Sequence, residues 1–138
     1  MITRREARIL AVQALYAWDF SRADLEGLLE LPWFEKRDSQ LEEDLLFTRT
    51  LIKGSVEYVD EIDSLIARQS RNWEIDRFNR VDLAILRMSV YAMRWHPEIP
   101  LSVTINEAVE IAREFGTDDS YRFVNGILDG IRKNPEGA

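Results

Sequence analysis

Cysteine is absent from this 138-residue chain, which removes disulfides, thiol nucleophiles and thiolate metal sites and fits a reducing compartment. Histidine occurs once, as His96, directly before Pro97. A histidine at a helix end is ordinarily a surface group or a dipole partner, so it is a weak candidate for catalysis. No run approaches the roughly 20 apolar residues of a membrane helix. The apolar stretch around Leu10 to Leu15 is short and broken by Gln13, unlike a signal peptide. A soluble, cytoplasmic protein is expected. Strand alternation is missing, and so are the GxxxxGK phosphate loop, GxGxxG, HExxH and GxSxG. Glu107, Glu110 and Glu114 stand at i, i+3 and i+7. A bundle metal site needs inward-facing glutamates with histidines on other helices, and this spacing suits a solvated face better. A helical metalloenzyme therefore has almost no residues to rest on. Neither cofactor nor metal is expected.

What is present is globular: 46% of the chain is hydrophobic and 31% charged, enough for one domain over residues 1–138 with its own core. The net charge of −7 is unevenly spread. Residues 24–63 hold twelve acidic and four basic side chains, a balance of −8, while the remainder holds thirteen and fourteen, a balance of +1. Of the eighteen cations, fifteen are arginine, the better partner for phosphates and bases.

Helical periodicity recurs along the chain. Ala7, Leu10, Ala11, Ala14, Leu15 and Trp18 share a face, with Thr3 and Glu6 as a capping box. A short helix is expected over about 23–31, ended by Pro32, and "WFEKRDSQ" reads as a loop. Leu41, Leu45, Thr48, Leu51, Ile52 and Ser55 predict a third helix, and Val59, Ile62, Leu65 and Ile66 a fourth. After "RNWEIDRFNR", Asn79 is placed to cap a helix that buries Val81, Ile85, Met88, Ser89 and Ala92 and stops before Pro97. Ile105, Ala108, Val109, Ala112 and Phe115 form the next stripe, closed by Gly116 as a left-handed C-cap. Thr117 or Asp118 then caps a last helix burying Phe123, Val124, Ile127, Leu128 and Ile131. The Asn125-Gly126 pair keeps helical spacing, so we read Gly126 as a helix glycine needed for a close helix approach. The expectation is an all-α fold of about seven helices, in two packed sub-bundles.

The opening "TRREARILAVQALYAWDF" carries Arg4, Arg5 and Arg8 on an acidic protein. On a helical projection Arg5, Arg8, Val12 and Tyr16 lie nearly opposite the apolar face, with Arg4 and Gln13 at its margins. Guanidiniums followed by an exposed ring suit single-stranded RNA, because phosphates pair with arginine and unstacked bases lie on rings. Cations in a first helical turn also oppose the dipole, a cost eased by a bound anion. A solvated face explains three arginines more simply, because they make only a small patch, and the residues alone leave both readings open.

Three blocks bear on that choice: "REARILAVQALY" (5–16), "RVDLAILRMSVYAM" (80–93) and "IPLSVTINEAVEIAREFGTDDSYRFVNGILDGI" (99–131). Together they strongly resemble the NusB family of bacterial transcription antitermination factors. The resemblance runs nearly end to end and is weakest over 21–76. It implies two small helical bundles. It also implies binding of the boxA element of ribosomal RNA transcripts, as a heterodimer with NusE, a small-subunit ribosomal protein. Other Nus factors and RNA polymerase would join the complex, which helps the polymerase read through terminators. No catalysis and no cofactor are implied. By position, the RNA-binding residues would be Arg4, Arg5, Arg8, Gln13, Tyr16, Asp119, Arg122 and Phe123. Asp82 and Arg87 would lie on the helix that faces the protein partner.

Each of these has a plainer reading. Asp82 equally caps its helix, Arg87 equally pairs with Asp82 or Asp76, and Phe123 equally belongs to the core. Asp119 would repel phosphate and fits better as a helix-start residue that orients a neighbour. Family members often carry a longer, more basic N-terminal arm; here three arginines and no lysine precede the core residues. The RNA affinity of the chain alone is therefore expected to be weak and its salt dependence shallow. Two other classes remain in view: a helical adaptor that binds protein only, and the N-terminal part of an rRNA cytosine methyltransferase. The second would need an α/β cofactor domain, which this sequence does not contain. A homodimer that hides the RNA surface is left open.

Overall fold

The computed structural model describes residues 2–22, 24–34, 39–71 and 74–135, the stretch 39–44 by its backbone alone. Along the described residues seven α-helices follow one another: α1 (Arg4–Ser21), α2 (Leu25–Leu29), α3 (Ser39–Glu57), α4 (Val59–Gln69), α5 (Arg80–Trp95), α6 (Leu101–Phe115) and α7 (Ser120–Lys133). A 3₁₀ turn, Ile75–Arg77, precedes α5. Among the described residues there is no strand, and no helix is long and apolar enough to cross a membrane.

The helix starts follow local chemistry. The Thr3 side chain accepts from the Glu6 backbone N–H, and the Glu6 carboxylate accepts from the Thr3 N–H at 3.1 Å, completing the expected capping box. Asn79 caps α5 by accepting from Val81 N at 2.8 Å and Asp82 N at 3.2 Å. Asp24 caps α2, which is shorter than its periodicity suggests. The expected loop over "WFEKRDSQ" falls largely on residues 35–38, which lie outside the described residues, and α3 already begins at Ser39.

Helix α5 is the spine. Every residue from Asp82 to Ala92 is buried. It packs on α1 and α3 on one side and on α4, α6 and α7 on the other, so α1–α3 form one helical group and α4–α7 a second, with α5 along the seam. The buried apolar side chains of both groups join in one cluster, with Leu15, Leu51, Ile52, Ile66, Ile85, Leu86, Ile111 and Leu128 fully enclosed. A helix touched by five others keeps no long solvent face, so its residues are almost all interior.

Three glycine and cap expectations change. Gly126 sits inside α7 as expected, but a Cβ there would meet nothing within 4 Å. The close approaches are at Gly54, against the Tyr91 ring, and Gly130, against Gln69. Gly116 is extended (φ −92°) rather than left-handed. Among the described residues other than glycine, the left-handed ones are Arg22, which closes α1, and Leu31. The start of α7 carries no side-chain cap bond from Asp119; instead Ser120 Oγ accepts from Thr117 N at 2.9 Å.

Candidate nucleic-acid interface

The arginines at the start of α1 do not stand alone. Arg5 points to α6, where its Nη2 lies 2.6 Å from Glu107 Oε2 and its Nε donates to Oε1 at 3.2 Å. Arg8 Nη1 lies 3.8 Å from the same carboxylate. Arg4 stacks on the Phe47 ring of α3, with its Cζ 4.2 Å from the centroid, and Arg8 Cζ is 5.3 Å from that centroid. The hydrogen bond from Arg5 holds the Glu107 carboxyl below the usual carboxylate range, against the opposing effect of burial. Burial pushes Arg8 down, with Arg4 and Arg5 adding to that effect and Glu107 opposing it.

The projected stripe therefore splits. Arg8 and Val12, expected on the outer face, are 5% and 6% exposed. The reason is that α1 is covered on two flanks: α5 and α3 take one face, while α6 covers the arginine side through Glu107 and Ile111. Arg4, Arg5, Gln13 and Tyr16 remain at the surface. Tyr16 is 39% exposed and meets Phe20, one turn on and 64% exposed, edge to face at 4.9 Å. Gln13 Oε1 accepts from Trp33 Nε1 at 3.0 Å. Ile9, Val12, Gln13 and Tyr16 of α1, with Val81, Ile111 and Phe115, line a shallow cleft of about 230 Å³. Phe115, expected in the core, is 45% exposed at its rim.

The α7 start is a second exposed feature. Arg122 and Asp119 are exposed and 3.4 Å apart. Arg122 and Arg113 both face the Tyr121 ring, with their Cζ atoms 5.2 and 4.3 Å from its centroid. Phe123 is half-buried and packs edge-on against Phe78 at 4.9 Å, so it belongs at least as much to the core as to a surface.

Asp82 and Arg87, expected on the partner-facing helix, are interior: 5% and 3% exposed. Arg87 pairs with neither Asp82 nor Asp76. It holds Asp63 through two bonds of 3.0 and 2.9 Å and Asp19 through one of 2.8 Å. Arg80 adds a second bond to Asp19 at 3.0 Å. Burial acts to raise the Asp19 carboxyl, but the hydrogen bonds from Arg87 and Arg80 outweigh it and hold the group below its ordinary value. This network ties α1 and α4 to the spine, and direct presentation of either side chain to a partner is not what the geometry offers. His96 is also internally engaged, 3.0 Å from Tyr91 Oη and 2.9 Å from Glu98.

The sequence missed four rings. Phe47 beneath Arg4, Tyr121 beneath two arginines and the exposed Phe115 carry no local signal, since each depends on which helices meet. Phe20 had one: it follows Tyr16 by four residues, on the same face.

Comparison with known proteins bears on the whole chain. The NusB family model matches residues 5–133. The transcription antitermination protein NusB of Treponema pallidum is 47% identical over 133 residues, covering 96% of this chain and 94% of that protein. The structure of T. maritima NusB superposes with a TM-score of 0.84 at 39% identity, over 99% of this chain and 96% of that one. A crystal structure of antitermination factors NusB and NusE in complex with dsRNA shares the fold, with a TM-score of 0.77 at 24% identity, over 94% of this chain and 96% of that one. Matched by the family model over residues 5–133 and by relatives along nearly its whole length, the chain belongs to the NusB family.

Proposed function

We propose that this protein is a transcription antitermination factor. It binds boxA-type single-stranded RNA of ribosomal RNA transcripts together with a NusE-type ribosomal protein. With other Nus factors on RNA polymerase, the complex promotes read-through of terminators. In this reading the protein is cytoplasmic, has no catalytic step and needs no cofactor. Family membership supports the assignment, and the structure of NusB and NusE in complex with dsRNA, which shares this fold, supports a NusE-type partner and RNA as ligands, though the RNA there is double-stranded.

The observation that carries the RNA face is that Arg5, Gln13, Tyr16 and Phe20 are exposed on one side of α1, with Arg4 exposed at the helix start. Phosphates would pair with the two arginines, and an unstacked base would lie on the Tyr16–Phe20 pair. Arg8 supports that face from inside, through Glu107 and Phe47. Asp119, Arg122 and the edge of Phe123 would extend the path at the α7 start. Asp82 and Arg87, interior on α5, are assigned a supporting role rather than contact with the partner.

Only two arginines are both exposed and on α1, so the chain alone should bind weakly and the partner should supply much of the affinity. A gel shift of boxA-type RNA tests this with the chain, the NusE-type partner, and both. Tight binding only by the pair is expected. No binding by the pair at low salt would overturn the assignment.

A further inference from the structure

Arg4 is held by a ring rather than by a carboxylate. It is the first residue of α1, where the helix dipole opposes a cation. Arg8, one turn on, adds a like charge beside it. Arg5 has Glu107 as its partner, and Arg8 lies 3.8 Å from the same carboxylate. Among the described residues Arg4 makes no ion pair; its Cζ sits over the Phe47 ring, 4.2 Å from the centroid. Arg8 Cζ is 5.3 Å from that centroid, so two guanidiniums meet one ring.

The place of the ring is fixed by its neighbour. Thr48 Oγ1, fully buried, donates to the Ala7 carbonyl at 2.9 Å and so locks α3 against the first turns of α1. Phe47 is half-buried, while Arg4 is exposed. The ring and both arginines line a groove of about 980 Å³, with Thr50, Pro100 and Val103 among its other walls. A ring attracts a guanidinium through its negative face and supplies no anion to its N–H donors. A carboxylate partner would do the reverse: it would hold the arginine and occupy the donors that a phosphate needs. Phe47 therefore orders Arg4 and leaves it both charge and donors. Packing alone asks only for an apolar side chain of this size, which leucine nearly supplies. Holding a guanidinium asks for a ring.

We propose that Phe47 is a positioning residue for RNA binding: it holds Arg4 in place, open to the groove, for a backbone phosphate. Ordering a long side chain before binding removes part of the entropy cost that the phosphate would otherwise meet. The two exposed arginines of the helix start then differ in role. Arg4 is ready for a phosphate, whereas Arg5 must first give up Glu107. The inference rests on the RNA-binding reading for its consequence, but its structural core is tested without RNA.

The test uses the full chain as Phe47→Leu, Phe47→Tyr, Arg4→Ala and the double variant Arg4→Ala/Phe47→Leu. Proton NMR without RNA comes first. The Arg4 side-chain protons next to the guanidinium should lie upfield in the native protein and in Phe47→Tyr, under the ring current. In Phe47→Leu they should return to ordinary arginine positions. Affinity of the chain and its NusE-type partner for boxA-type RNA comes second. Phe47→Leu should lower it about threefold or more, the scale of one cation–π contact, and Phe47→Tyr, which keeps the ring face, should restore it. In the Arg4→Ala background Phe47→Leu should cost nothing further, because the ring acts through that arginine. Arg4 resonances unmoved by Phe47→Leu, Phe47→Tyr binding as weakly as Phe47→Leu, or an equal loss from Phe47→Leu with and without Arg4 would overturn the proposal. Should Phe47→Leu fail to fold, Phe47→Met takes its place with the same readouts. Absence of RNA binding by the unmodified pair would defeat the functional reading and this consequence of it, and the NMR result would still decide the contact between ring and arginine.

Discussion

The Arg5 guanidinium closes on the Glu107 carboxylate across 102 residues of chain, with Nη2 2.6 Å from Oε2. The positive start of this acidic protein is thus partly answered from within, by α6. An arriving phosphate competes with Glu107 for Arg5. Replacing Glu107→Gln should therefore raise RNA affinity several-fold, and the salt slope should steepen toward one further phosphate, about 0.7 for a single strand. Salt titrations of the two proteins, each with partner, give both numbers.

The same pair sets a pH dependence. Glu107 is held below its ordinary value by Arg5, so its contribution to stability is complete above the unfolded carboxyl value of about 4.3 and is lost as pH falls through the lower folded value. Urea midpoints of the native protein and Glu107→Gln should differ near neutrality and converge as the pH falls below the folded carboxyl value.

Arg87 anchors the seam. Removing it leaves Asp19, whose side chain is 6% exposed, with Arg80 as its one close partner and Arg22 at 3.8 Å. Breaking a buried pair in this way costs about 3–5 kcal/mol. Arg87→Ala should lower stability by that order in chemical denaturation. An effect below about 1 kcal/mol, the range of an exposed pair, would contradict the network's role.

Two glycines in helices should respond in opposite directions. A Cβ at Gly54 would run into the Tyr91 ring, so Gly54→Ala should destabilise by about 1–3 kcal/mol through overpacking. A Cβ at Gly126 would meet open space, so Gly126→Ala should stabilise α7 by up to about 1 kcal/mol. Thermal midpoints of the two variants separate a packing glycine from a merely tolerated one.

Much of the fold is legible in the sequence, and the reason is local. Thr3 with Glu6, and Asn79 ahead of α5, are bonds between residues two or three apart, so spacing alone identifies them. The family blocks locate the RNA candidates by position. What spacing does not give is the second neighbour of a helix. Arg8 projects away from the apolar face of α1, yet α6 covers it, because Glu107 lies a hundred residues on. Arg87 finds Asp19 and Asp63 on two other helices, beyond the reach of any i,i+4 rule. Gly126 lies inside a helix as expected, but the close approach expected there is absent for the same reason: a glycine in a helix says that a close approach is permitted, not where it occurs.

The RNA face of α1 is tested most directly by Arg4→Ala/Arg5→Ala, since both side chains are exposed and neither is part of the core. The measurement is affinity for boxA-type RNA, with the NusE-type partner present, across a salt series. Helicity should be unchanged, affinity should fall about tenfold or more at low salt, and the slope should become shallower by about 0.7 for each phosphate no longer neutralised. Equal affinity and equal slope for the variant and the native protein would contradict the account.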